Sequence, residues 1–160
     1  MKESKYPDKG SYILIIHVDK PIKISIGKLG VFEFKPGYYA YVGSAMGKGA
    51  TSLIGRVKRH LRKEKKLRWH VDYLLSKAKV VHVLYSTLER SECTLSKMLY
   101  KAGFKPYIKG FGSSDCRQKC VSHLYWLGEK INIERLSQRL TEINEPVKIE
   151  ILRLESILNN

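Results

Sequence analysis

Arg56 and His60 stand four residues apart in a stretch whose apolar residues repeat at helical spacing. On a helix such a pair stacks on one side, so a guanidinium and an imidazole share an edge and can reach over the preceding strand. Leu53, Ile54, Val57 and Leu61 fall within one arc of roughly 100°, the expected core face, with Arg56 and His60 at its border. Lys58, Arg59, Arg62 and Lys63 lie outside that arc. From Arg56 to Arg68 there are eight Lys or Arg residues against one acid, Glu64, with Lys65, Lys66 and Arg68 completing the run. Trp69 follows directly; its ring could stack on a nucleic-acid base, or simply pack the core. The plain alternative for the whole segment is a solvated basic helix.

A second constellation is Cys116-x-x-x-Cys120-x-x-His123. These are soft ligands at close spacing, and Cys93, His82 or His70 could complete a tetrahedral zinc site. The spacing is not that of paired C-x-x-C knuckles. The expected state is therefore thiols buried as small apolar groups, with zinc the alternative.

The chain has 160 residues, enough for one domain with a real core. It carries 30 Lys+Arg against 15 Asp+Glu. Residues 1–80 hold 18 basic and 6 acidic residues, and residues 81–160 hold 12 and 9, so the positive charge is concentrated in the first half. A positive lobe points to a polyanion, nucleic acid first. No long amphipathic helix with a wide apolar face accompanies it, which argues against a membrane surface. No apolar run approaches the ~18 residues of a membrane span, and the polar start MKESKYPDKG is not a secretory signal. Three cysteines then suggest reduced thiols or a metal, and the expected location is the cytoplasm.

The elements that would position these residues are short. Residues 1–9 read as a flexible tail. The runs YILIIHV, Ile22–Ile26, Val31–Phe34 and Tyr38–Val42, separated by Lys20-Pro21, Gly27–Gly30 and Pro36-Gly37, read as an antiparallel meander of about four strands ended by Gly43. A second helix is expected over Trp69–Lys77 and a strand over Val80–Ser86. Ser91 is placed as N-cap of a third helix with Leu95, Met98 and Leu99 inward. Residues 103–114 read as loop, and Cys120–Leu127 as a last core element. In residues 129–160, Ile133, Leu136, Leu140 and Ile143 have helical spacing and VKIEILRL alternates. That tail reads as an appended helix and edge strand, serving partner contact, dimerisation or the covering of a sheet edge.

Taken in order, Gly10-Ser11-Tyr12, Tyr41-Val42-Gly43, Leu53-x-x-Arg56-x-x-x-His60 and Glu92 resemble the GIY-YIG nuclease superfamily. GSA-x-G, RWHVDYLL, EC-x-L and FGSSDC…SHL are similar to a little-characterised archaeal and bacterial subfamily. The resemblance covers about residues 10–127, with 128–160 as the extension. Two departures stand out: GSY replaces GIY, and Tyr12 lies 29 positions before Tyr41, further than the usual short hairpin. The segment Lys20–Pro36 has its own strand pattern and is read as an added hairpin.

The resemblance implies an α+β fold, a small antiparallel or mixed sheet flanked by helices. It also implies metal-dependent hydrolysis of DNA phosphodiesters, structure- or damage-selective in repair, with a repair protein as a partner. RNA is a second substrate class, and a non-catalytic nucleic-acid-binding module is the second reading of the fold. Glu92 would be the single carboxylate ligand of Mg²⁺ or Mn²⁺, a hard ion that keeps its waters, with Glu89 a weaker competitor. Tyr12 would contact or deprotonate the attacking water, helped by cations because a phenol's ordinary pKa is near 10. Arg56 would stabilise transition-state charge, and Tyr41 and His60 would hold the phosphate or relay the proton. Lys58, Arg59, Arg62, Lys63, Lys65, Lys66, Arg68 and Trp69 would line the nucleic-acid surface.

Overall fold

Gly10–Val18 is apolar on both faces and buried along nearly its whole length, the pattern of a strand in the middle of a covered sheet. In the computed structural model, which describes residues 6–86, 92–114, 116–143 and 147–158, this strand is β1. The other strands are β2 (Ile22–Ile26), β3 (Gly30–Phe34), β4 (Gly37–Ala45), β5 (Lys79–Ser86), β6 (Lys105–Pro106), β7 (Leu124–Gly128) and β8 (Glu150–Leu152). The helices are α1 (Leu53–Leu61), α2 (His70–Leu75), α3 (Glu92–Lys101), α4 (Ile133–Ile143) and α5 (Leu154–Leu158). Six strands form one antiparallel sheet in the order β6-β7-β4-β1-β5-β8, and β2 and β3 form a separate two-stranded sheet. The fold is α+β, as expected.

The four-strand meander is corrected in one respect. β1 pairs directly with β4, with Ile13 opposite Val42, while β2 and β3 pair only with each other. The alternation of Ile22, Ile24 and Ile26 with Lys23 and Ser25 gives β2 one apolar face, which suits a hairpin laid on the sheet rather than a central strand. Lys20–Pro36 is thus an inserted hairpin, packed against α2.

Period-two alternation divides the core between the two faces of the sheet. Tyr12, Leu14, Ile16, Tyr39, Tyr41, Val83 and Tyr85 face a layer made by α1, α2, the hairpin and Ile157 of α5. Ile13, Ile15, Ala40, Val42 and Leu84 face α3 and α4 through Leu95, Met98, Leu99, Leu136 and Leu140. β8 is an edge strand on β5, as the alternation near the C-terminus suggested. β6 and α5 were not anticipated; two and five residues are too short for periodicity to register. Residues 6–9 are not a frayed tail. Tyr6 packs edge-on against Tyr85 at 5.6 Å and hydrogen-bonds Ser156 at 3.1 Å, and the carbonyl of Asp8 accepts from Leu53 N–H at 2.7 Å. The expectations placed on Glu89 and Ser91 lie outside the described residues, as does Asp115 of the FGSSDC motif.

Gly43 does not end its strand. β4 continues to Ala45, and Gly43 sits directly opposite Tyr12. A Cβ at Gly43 would come within 2.6–2.8 Å of the Tyr12 ring carbons and hydroxyl, so the phenol lies across a strand position that only glycine leaves open. We therefore expect Gly43→Ala to displace the Tyr12 ring at a cost of about 1–3 kcal/mol, as for overpacked cores. Urea unfolding reads the loss, and unchanged stability would mean that the ring has another place to go.

Candidate active site

α1 starts where Ser52 caps it, its Oγ accepting from Gly55 N–H at 3.0 Å. This start sets the helix phase, and the buried stripe becomes Leu53, Val57 and His60, with Ile54 and Leu61 only partly buried. The core face is rotated from the expected one, and His60 lies inside rather than on the border. The reason is a partner: Tyr12 Oη and His60 Nε2 are 2.7 Å apart, and a buried imidazole needs such a bond. Tyr41, diagonal to Tyr12 on the same sheet face, meets the His60 ring at 6.2 Å. Sequence positions 12, 41 and 60 thus converge.

Arg56 joins them. Its guanidinium lies 4.9 Å from the centre of the Trp69 ring, and its buried Nε has no acceptor among the described residues. Trp69 also carries Arg59 at 4.3 Å and approaches His60 at 5.7 Å. It is a packing platform for two arginines, and it stays partly exposed. Glu92 opens α3, and its charge reaches the Tyr12 hydroxyl.

Electrostatics keep the Tyr12–His60 couple neutral. Burial above all, then Lys65 and the neighbouring arginines against the opposing pull of Asp72, lowers the His60 pKa to about 3. Burial likewise raises the Tyr12 pKa well above its ordinary value. Tyr41 and Glu92 add to that rise, while Arg56 and Arg59 oppose it.

The basic run divides in two. Arg59 makes a bidentate ion pair with the fully buried Asp72, at 2.9 Å to each oxygen. Asp72 also accepts from the N–H groups of Arg68 and Trp69, capping α2, and these bonds hold its pKa down despite burial. Lys65 donates to the carbonyls of Arg59 and His60 at 3.2 and 2.7 Å, closing the C-terminal end of α1. Both cations thus have partners within the fold. Lys58, Arg62, Lys63, Lys66 and Arg68 remain exposed. His70 is structural as well, its Nδ1 accepting from Gly112 N–H at 2.8 Å. Sequence reasoning gave Asp72 no role; the signal was an acid three residues after a helix-preceding position, the spacing of a capping box.

Cys116, Cys120 and His123 also converge, and Cys93 joins them rather than His82 or His70. The grooves of the surface lie elsewhere. One of them, about 760 Å³, runs between Ile54, Leu61 and Arg62 of the α1 segment and Ile157-Leu158.

With this geometry in hand, comparison with protein-family models matches residues 11–145 to a domain of unknown function, DUF123. The chain belongs to the DUF123 family. No curated protein and no solved structure matches it. The matched span runs through α4, so the helix expected to be appended after residue 127 falls within the family domain. No described helix is long and apolar enough to cross a membrane.

Two measurements check this assignment of roles. His60 takes a proton below about 6.5 in an unfolded chain but only near 3 in the fold. The unfolded state binds more protons in that window, so this contribution to stability is intact above pH 6.5 and is lost as pH falls towards 3. The slope is at most about 1.4 kcal/mol per pH unit. His60→Gln should flatten the dependence measured by urea titration; an identical slope in both proteins would return His60 to solvent. Asp72→Ala strands Arg59 and uncaps α2, and should cost about 3 kcal/mol, whereas Lys63→Ala should stay within about 0.5 kcal/mol.

Proposed function

We propose that this DUF123 protein is a metal-dependent endonuclease of GIY-YIG type that hydrolyses phosphodiester bonds of DNA. The observation that carries the reading is the buried, acceptor-less Nε of Arg56 beside the hydrogen-bonded Tyr12–His60 couple. A buried guanidinium N–H without an acceptor is costly, and an incoming phosphate oxygen would satisfy it. The exposed Lys58, Arg62, Lys63, Lys66 and Arg68 supply the surrounding positive surface. Such a surface binds the backbone with an affinity that falls steeply with salt.

In this reading the Tyr12 hydroxyl donates to Nε2 of neutral His60, which leaves the phenol oxygen's lone pairs to orient the attacking water. As the water oxygen bonds to phosphorus and the P–O bond to the leaving sugar oxygen breaks, the proton runs from the water to Tyr12 Oη and from Oη to Nε2, so neither group needs an ionised resting state. The leaving oxygen takes a proton from solvent water. Arg56 stabilises the charge gathering on the phosphorus oxygens, and Tyr41 steadies the phosphate. A half-buried carboxylate at a helix start, Glu92, fits a hard divalent ion that fills its other positions with water and phosphate oxygen. Mg²⁺ or Mn²⁺ held there would supply Lewis-acid stabilisation of the scissile phosphate and a more acidic bound water. DNA repair is the process that a structure- or damage-selective nuclease would serve, with a repair protein presenting the substrate and RNA as the competing substrate class.

A second reading, a binding module without turnover, draws on the depth of the couple: Tyr12 and His60 are each 2% exposed. One experiment separates them. Labelled single strand, duplex, flap, junction, abasic duplex and RNA are incubated with Mg²⁺ or Mn²⁺ and with wild-type, Glu92→Ala or Arg56→Ala protein. The nuclease reading expects cleavage of at least one DNA, abolished by Glu92→Ala with affinity retained. It expects a reduction of about 10²–10³ in kcat by Arg56→Ala. Binding without cutting on every substrate, unchanged in Glu92→Ala, would establish the module.

A further inference from the structure

Cys93, Cys116, Cys120 and His123 come from three places in the fold: the first turn of α3, the turn after residue 114, and the entry to β7. Their donor atoms all lie within 4.8 Å of one another, with the sulfurs of Cys93 and Cys116 3.3 Å apart. A disulfide needs about 2.05 Å. A tetrahedron with Zn–S near 2.3 Å and Zn–N near 2.0–2.1 Å has edges of about 3.6–3.8 Å, which these four donors bracket. Burying thiols as small apolar groups would not require three of them and an imidazole to converge on one point.

The backbone around the cluster is fixed. Cys116 N–H donates to Ser113 O at 3.0 Å and Lys119 N–H to Cys116 O at 3.1 Å. Lys119 adopts a left-handed φ of 56°, which turns the chain so that Cys120 faces back towards Cys116. His123 is pinned on both sides, its N–H donating to Phe111 O at 2.8 Å and its carbonyl accepting from Val42 N–H at 2.9 Å. On α3, one turn after Cys93, Ser96 donates to Ser122 O at 3.2 Å and Lys97 to Gln118 at 3.3 Å. The donors are thus pre-positioned by bonds that do not involve the donor side chains.

We propose that Cys93, Cys116, Cys120 and His123 form a Cys₃His zinc site. Four protein ligands leave no open position, so the site is structural. It clasps the start of α3, the turn that bears Glu92, to the segment whose Phe111 meets Tyr41 at 6.1 Å and whose Gly112 would clash with Tyr41 if it carried a Cβ. The inference is independent of whether the protein cuts nucleic acid.

The test is the metal content of the full chain purified without chelator or metal-affinity resin, then again after reduction, chelation and refolding with excess zinc. One zinc per chain is expected, together with the ligand-field absorption of tetrahedral thiolate–cobalt when Co²⁺ replaces it. Cys120→Ser and His123→Ala should lose the metal, and His123→Cys, which restores four donors, should keep it. The wild-type measurements decide the matter even if a variant fails to fold. Two results would overturn the proposal. One is no zinc in either preparation, with all three thiols equally reactive in its presence and absence. The other is a Cys93–Cys116 disulfide in protein never exposed to reductant.

Discussion

The antiparallel register of β1 on β4 is the constraint on which the rest turns. Pairing Gly10 with Ala45 and Val18 with Gly37 fixes every pair between them, and a slip of one residue would send each side chain to the opposite face. In the observed register Tyr12 faces Gly43 and Tyr41 stands diagonal to it on the same surface. The phenol can then lie flat across the glycine and meet His60 from the helix above. The inserted hairpin between the strands leaves this unchanged, because β2 and β3 close on themselves and add nothing to the β1–β4 ladder. Sequence separation between the two tyrosines is therefore a poor guide to their distance.

α1 shows how a strongly basic segment can serve two purposes. A helix with so many like charges repels itself, and its C-terminal end is the one place where cations are welcome. Lys65 occupies that end, and Arg59 is neutralised by an acid buried beneath it. Asp72 costs desolvation, but two arginine nitrogens and two backbone N–H groups meet its oxygens, so the charge is fully satisfied. The arrangement also fixes Trp69, which in turn supports Arg56. Among the described residues, Lys58, Arg62, Lys63, Lys66 and Arg68 stay exposed, the cations that the proposed DNA-binding surface would use.

Much of this was legible in the chain, and the residues show where legibility ended. Strand and helix positions followed from periodicity: Ile13 to Val18, Leu95 to Leu99 and Ile133 to Leu140 all bury the faces their spacing implied. The hairpin was visible because Ile22, Ile24 and Ile26 alternate. His60 lies inside the face that the apolar residues of α1 mark only at its border, because apolarity alone does not place a hydrogen-bonded imidazole. A polar residue enters the core only when a distant partner satisfies it, and Tyr12 is 48 residues away. Arg59 and Asp72 carried no signal as a pair, since an ion pair across two helices has no fixed spacing. Cys93 could be named only as one of three candidates for the same reason.

Glu92 and Cys93 are neighbours in sequence, yet they suit opposite chemistries. Consecutive residues on a helix diverge by about 100°, so the carboxylate and the thiol at the start of α3 serve different surroundings. Cys93 is buried against the 116–123 segment, and Glu92 lies within electrostatic reach of Tyr12. A thiolate–imidazole set selects a soft ion and holds it closed, whereas a single carboxylate selects a hard ion and leaves room for water and phosphate. The two sites would not compete for metal. Their adjacency means that anything ordering Cys93 also orders the first turn of α3. The second sphere of Tyr41, through Phe111 and Gly112, is ordered by the same segment. A rigid clasp at this point would set the distance between Glu92 and the tyrosine face of the sheet, on which the proposed metal-assisted attack at phosphorus would depend.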